Sequence, residues 1–130
     1  MTDNKLNREI TMATNKAYTT IEQSRKLAEF LPLESADMYY EWPNKKVHFK
    51  DDKYSGMGLS CWSLAALLDV IPKHIKDYNV LRIDISENDF AIWYDEIGYG
   101  VNNDLPNITM ESAVDACVSM IEKLHELNLL

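Results

Sequence analysis

Cysteine, glycine and long apolar runs are all scarce in this chain, and each shortage excludes something. Two cysteines, Cys61 and Cys117, in 130 residues are too few for a disulfide framework and suit a reducing compartment. Four glycines leave little material for a phosphate cradle, and no Gly-rich loop follows a predicted strand. No stretch approaches the ~18–20 apolar residues that a membrane helix needs. The first ten residues are polar and of mixed charge, without the apolar stretch of a secretory signal. The expectation is a cytoplasmic protein with no membrane partner. Metal ligands are equally sparse. There is no C-x-x-C, no H-E-x-x-H, and His48, His74 and His125 never fall at i, i+3 or i+4. Asn102-Asn103-Asp104 and Glu87-Asn88-Asp89 are short turn sequences rather than calcium loops. No metal and no cofactor are expected.

Positive charge is missing from one region in particular. Residues 1–60 balance nine Lys/Arg against nine Asp/Glu, whereas residues 61–130 hold four against twelve, so the net charge of −8 lies in the second half. From Ile83 to Glu122 there is no Lys, Arg or His, against nine carboxylates. An acidic surface repels phosphate backbones and attracts basic partners, so direct nucleic-acid binding is disfavoured. Lys45, Lys46, Lys50 and Lys53 form a small basic cluster with aromatic neighbours, which Asp51 and Asp52 dilute.

What is present reads as one α+β domain over residues 13–130, preceded by a flexible arm of residues 1–12. A first helix is predicted from Thr14 to Leu31, stopped by Pro32. Met38, Tyr40 and Trp42 alternate with Tyr39 and Glu41 as in a strand, and Val47 and Phe49 flank His48 in a second after a Pro43-Asn44 turn. Asp51 to Leu59 reads as a loop. The stretch Ser60–Pro72 then carries its own punctuation. Ser63 is a candidate N-cap, Trp62 and Leu67 suit a hydrophobic staple, Leu64, Leu67, Leu68 and Ile71 make an apolar face, and Pro72 ends the helix. Leu81, Ile83 and Ile85, then Phe90, Ile92 and Tyr94, alternate around a Glu87-Asn88-Asp89 turn and predict a hairpin. A short strand is predicted from Tyr99 to Val101, and a final helix begins after Thr109 as N-cap with an apolar seam of Met110, Val114, Cys117, Ile121 and Leu124. The predicted order is α-β-β-α-β-β-β-α, with a small, mostly antiparallel sheet of four or five strands packed with three helices.

Three blocks of this sequence resemble a family of short proteins of Bacteroides-type gut bacteria. They are SADMY at residues 35–39, WSLAALLDVIP at 62–72 and ESAVDACVSMIE at 111–122, and their order and spacing match over residues 27–127. Members often lie beside phage-like or other mobile genes and have no assigned activity. The resemblance implies a single cytoplasmic domain of bacterial or prophage origin and transfers no catalytic or binding residue.

Chemistry has few candidates. Cys61 precedes a helix whose N-terminus could lower its pKa, but His74 lies at the far end of that helix, leaving only His48 as a possible base. The pairs Asp51-Asp52 and Asp95-Glu96 fall in turns. No catalytic residue is assigned. The surplus of aromatics is a better lead. Trp93 points away from Phe90, Ile92 and Tyr94 if alternation holds; either a helix covers that face too and Trp93 is core, or it is exposed and marks an interface. The leading expectation is a non-enzymatic accessory or interaction protein with Tyr40, Trp42 and Trp93 as anchors and Asp84, Asp89, Asp95 and Glu96 as a polar rim. Its partner would be another protein or a second copy. One alternative is an acidic nucleic-acid mimic that occupies a basic partner, with Glu111, Asp115, Glu122 and Glu126 along the last helix. The other is a small enzyme using Cys61 or a carboxylate pair.

Overall fold

A computed structural model describes residues 17–130. The expected arm, residues 1–12, lies outside the described residues, as does the start of the predicted first helix. Among the described residues the fold is α+β, with three helices and antiparallel sheets. In order the elements are α1 (Ile21–Ala28), a 3-10 turn (Leu33–Ser35), β1 (Met38–Glu41), β2 (Lys46–Phe49), β3 (Leu59–Cys61), α2 (Leu64–Val70), β4 (His74–Ile75), β5 (Asn79–Ile85), β6 (Phe90–Glu96), β7 (Gly100–Val101), β8 (Ile108–Met110) and α3 (Ala113–Glu126). The strands form two sheets rather than one. The chain resolves into two compact units, one up to Ala66 and one from Leu67 to Leu130.

In the first unit the central strand is β1, flanked by β2 and β3, all antiparallel. The period-two pattern is realised: Met38 and Tyr40 point into a core with Cys61, while Tyr39 and Glu41 face outward. Tyr18, Ile21, Val47 and Leu59 pack against that core. The first helix starts later than predicted. Thr20 caps it through a capping box, its hydroxyl accepting from the Gln23 N–H while the Gln23 side chain accepts from the Thr20 N–H. The preceding Tyr18 is extended and bridges to Ser63. This cap and tertiary pairing keep Ala17 out of the helix, although its apolar period continues that of Ile21.

Trp62 is fully buried, and its polar groups are all engaged. Its N–H donates to Thr19 Oγ1 at 3.0 Å, its carbonyl accepts from the Thr19 N–H at 2.9 Å, and its indole N–H donates to Ser35 Oγ at 2.9 Å. Ser24 Oγ donates to the Thr20 carbonyl at 2.6 Å, so in the 2.8 Å contact between the two hydroxyls Thr19 must be the donor to Ser24. The neighbouring Ser63 caps α2 as expected, accepting from the Ala66 N–H at 3.2 Å. Asp37 holds it there, one carboxylate oxygen accepting from the Ser63 N–H at 2.9 Å and the other from the Ser63 hydroxyl. Two of the sequence blocks, at 35–39 and at 62–63, are thereby in direct contact.

In the second unit β5 and β6 form the predicted hairpin, with Ile83 opposite Ile92 and Ile85 opposite Phe90. Phe90, Ile92 and Tyr94 face a core covered by α3, whose Val114, Cys117, Ile121 and Leu124 are buried. Thr109 is not the cap of that helix. It lies in β8, which pairs with β6, and Ser112 caps α3 by accepting from the Asp115 N–H at 3.2 Å. Lys73, just past Pro72, donates back to the carbonyls of Leu68 and Ile71 and closes the end of α2. Buried Asn79 donates to the Ile75 carbonyl at 3.0 Å and accepts from Asn102 at 2.9 Å, tying β5 to the loop after β7. No helix among the described residues is long and apolar enough to cross a membrane.

Removing the Asp37 carboxylate strands the Ser63 N–H and weakens the α2 cap. Asp37→Ala should lower unfolding free energy by about 2–3 kcal/mol, whereas exposed Asp52→Ala should stay within about 0.5 kcal/mol, both read from urea midpoints. Gly58 has φ +93° and an added Cβ would sit 2.4 Å from the Tyr40 carbonyl oxygen, whereas Gly56, at φ +86°, faces open space. Gly58→Ala should therefore cost clearly more than Gly56→Ala, which carries only backbone strain of about 1 kcal/mol or somewhat more.

Candidate functional site

Because Met38 and Tyr40 turn inward, β1 presents Tyr39 and Glu41 on the outer face of its sheet. Register places His48 opposite Tyr39, and the rings lie 5.5 Å apart. The 50–58 loop folds back over this face and sets the Tyr54 ring 4.7 Å from that of Tyr39, tilted by 43°. Lys50 fixes the loop. Its ammonium lies 5.0 Å from the Tyr54 ring centre and donates to the Leu33 carbonyl at 3.1 Å and to Ser60 Oγ at 3.0 Å. Burial lowers its pKa, opposed by the charges of Cys61, Asp37 and Glu34. Gly58 supplies the close approach of the loop to Tyr40 that any Cβ would block.

The result is a cleft of about 320 Å³ lined by Tyr39, Glu41, Trp42, Lys53, Tyr54 and Met57, with Ser55 and Gly58 at its margin. Trp42 is 43% exposed and Met57 74%. Trp42 stands at the end of β1, where the chain turns through a cis Trp42–Pro43 bond and Lys45 at φ 57°. Glu41 is held in place: Nε2 of His48 lies 2.8 Å from its carboxylate, off the line of a hydrogen bond, and Asn44 donates to it at 3.3 Å. The cleft offers aromatic faces, a flexible thioether and one cation, a set that takes up apolar or aromatic side chains.

The residues singled out from sequence fall in different surroundings. Tyr40 is 7% exposed and donates to the Thr19 carbonyl at 2.7 Å, so it belongs to the core and not to a surface. Trp42 is at the surface. Trp93 does point away from Phe90, Ile92 and Tyr94, but it is half-buried, its indole N–H donating to Asp95 at 2.8 Å while Arg82 donates to the same carboxylate at 3.2 Å. Asp84 and Asp89 are exposed and Glu96 is half-buried. Asp95 and Glu96, with Arg82 and Ile97, line a second hollow of about 300 Å³ on the outer face of β5 and β6. Along α3, Asp115 and Glu122 are half-buried and Glu126 exposed, while Glu111 lies before the helix begins. Sequence reasoning missed Tyr54 and Met57, which stand in a loop and carry no period. Their one signal is a Met exposed between two glycines.

Cys61 is fully buried, and burial, reinforced by Asp37, pushes its thiol up to about 12 against the opposing pull of Lys50. Burial likewise pushes Cys117 up to about 12. Neither thiol is poised as a nucleophile at neutral pH. Among the described residues no three His, Cys, Asp or Glu side chains come together as a metal site. Compared with protein-family models, curated proteins and solved structures, the chain shows no match.

Both thiols should resist iodoacetamide in the native protein at pH 7–8 and react only on unfolding. The linkage has a definite sign. Folded pKa values raised above the ordinary 9.0 for Cys61 and Cys117, and above 10.0 for Tyr40, which burial takes to about 12, mean that the unfolded chain loses these protons first. The stabilisation is complete below pH 9 and is lost progressively as pH rises from about 9 to about 12. Tyr94, also raised by burial, acts in the same direction. Urea midpoints should fall steeply over that window.

Proposed function

We propose that this chain is a non-enzymatic protein-interaction module, of bacterial or prophage origin as its resemblance implies, whose docking surface is the aromatic cleft of the first unit. The observation that carries this reading is the cleft's composition. Exposed Trp42 and Met57 stand beside Tyr39 and Tyr54 in one hollow, and Trp and Tyr dominate the energetics of protein interfaces. Strand register fixes Tyr39 and the Lys50 clamp fixes Tyr54, which reduces the ordering entropy that opposes docking. A large apolar side chain of a partner fits the hollow, with Glu41 and Lys53 supplying a charged rim. The buried, high-pKa thiols support a structural role for both cysteines.

A photo-crosslinking amino acid at position 57, installed in the full chain expressed in its native host, should yield a discrete protein adduct that the same probe at exposed Glu126 does not give. Trp42→Ala should reduce that adduct strongly, since truncating a central interface aromatic costs roughly 2 kcal/mol, about 30-fold in affinity. Identical adduct patterns from positions 57 and 126, or an adduct indifferent to Trp42, would refute the reading.

A further inference from the structure

The second unit carries an open sheet edge whose chemistry names its occupant. Strand β4 pairs with only the first part of β5, His74 opposite Val80 and Ile75 opposite Asn79. The Leu81 N–H still donates to the Lys73 carbonyl at 2.9 Å. Backbone groups at odd positions of β5 therefore point towards β4, and those at even positions towards β6. The Ser86 N–H, donating to Asp89 across the hairpin, fits that alternation. Beyond Leu81 no strand among the described residues covers this side, so the N–H and C=O groups of Ile83 and Ile85 are left without a ladder partner.

The side chains along this edge are also uncovered. Ile83 is 40% and Ile85 75% exposed, although their cross-strand partners Ile92 and Phe90 are buried. Helix α3 packs on β6 and β8 and leaves the end of β5 bare. On the opposite face of the same stretch lie Arg82 and Asp84. Arg82 is drawn sideways to Asp95 at 3.2 Å, which leaves Asp84, with Glu87 and Asp89 at the hairpin tip, as the charge that an incoming strand meets.

We infer that the free edge of β5, residues 82–86, accepts an extended segment of a basic protein as an added strand. Apolar residues of that segment would lie against Ile83 and Ile85, and a Lys or Arg would lie opposite Asp84. A second copy of this chain is a poor occupant. Self-pairing centred on Ile83 would put the copy's Ile85 where Lys73 already sits. The next register, centred on Asp84, avoids Lys73 but sets two Asp84 carboxylates directly opposite each other, a destabilising pair. A basic strand turns the same position into an attraction, and the absence of any Lys, Arg or His from Ile83 to Glu122 extends that attraction along the hairpin. This edge is separate from the aromatic cleft, and either can fail without the other.

The test titrates the full isotope-labelled chain with a blocked peptide of sequence TVKVKVT. Controls are TVEVEVT and the shuffled TKKVVVT, and the readouts are amide shifts and affinity. The largest shifts and new exchange protection should fall at the Ile83 and Ile85 amides. The lysine peptide should bind at least about tenfold more tightly than the glutamate peptide, and Asp84→Lys should invert that order. Ile85→Pro deletes an N–H that β6 does not use and keeps the hairpin, because proline is tolerated on an edge strand. It should weaken binding about fivefold while the β6 amide shifts stay in place. Shifts centred elsewhere than β5, equal affinity for the shuffled peptide, or protection of Ile83 and Ile85 that arises from dimerisation of the chain alone would each overturn the proposal.

Discussion

The first unit rests on the burial of a single indole with every polar group around it satisfied. Trp62 takes its N–H and carbonyl to Thr19 and its ring N–H to Ser35, and each of those partners is engaged in turn. Leaving one of these groups unpaired in the core costs about 1–3 kcal/mol. The segments before α1, before β1 and before α2 are therefore fixed together, not separately. Asp37 adds a second tie one residue further on, locking Ser63 as the cap of α2. A cap residue that is itself held by a carboxylate sets where the helix starts and also the direction in which the chain enters it.

From that junction follows the division of β1 into two faces. Tyr40 is drawn inward by its hydrogen bond to Thr19, and the strand's pleat then forces Tyr39 and Glu41 outward. Tyr39 becomes the platform on which His48 and Tyr54 gather. The proposed docking cleft is thus a by-product of core packing. The inner tyrosine stabilises the fold and the outer one organises a surface, although the two are adjacent in sequence.

In the second unit the organising constraint is coverage. One helix of 14 residues, α3, is long enough to shield β6 and β8 but leaves the distal half of β5 bare. The alternation Leu81, Ile83, Ile85 is therefore half-buried at one end and open at the other, within a single strand of uniform pattern. The open edge of β5 arises where a regular element outruns the element that covers it.

Much of this was legible in the residues themselves. The Ser63 cap, the Pro72 stop, the β5–β6 hairpin and the outward turn of Trp93 follow from periodicity and capping chemistry, which are local. The late start of α1 was not legible, because the extended pairing of Tyr18 with Ser63 depends on a residue 45 positions away in sequence. Nor was β8, where Thr109 reads as a helix cap until its pairing with Ala91 claims it. Tyr40 and Trp42, two positions apart in one alternating strand, look equivalent in sequence. Only the tertiary structure separates them, because burial depends on where the covering elements end. The sequence by itself determined the α+β class, the helix and hairpin signals and the uneven charge, since these rest on short-range chemistry. The tertiary structure decided which aromatics are core and which are surface, which edge stays open and how Tyr54 and Met57 join the cleft, since these depend on contacts between residues far apart along the chain.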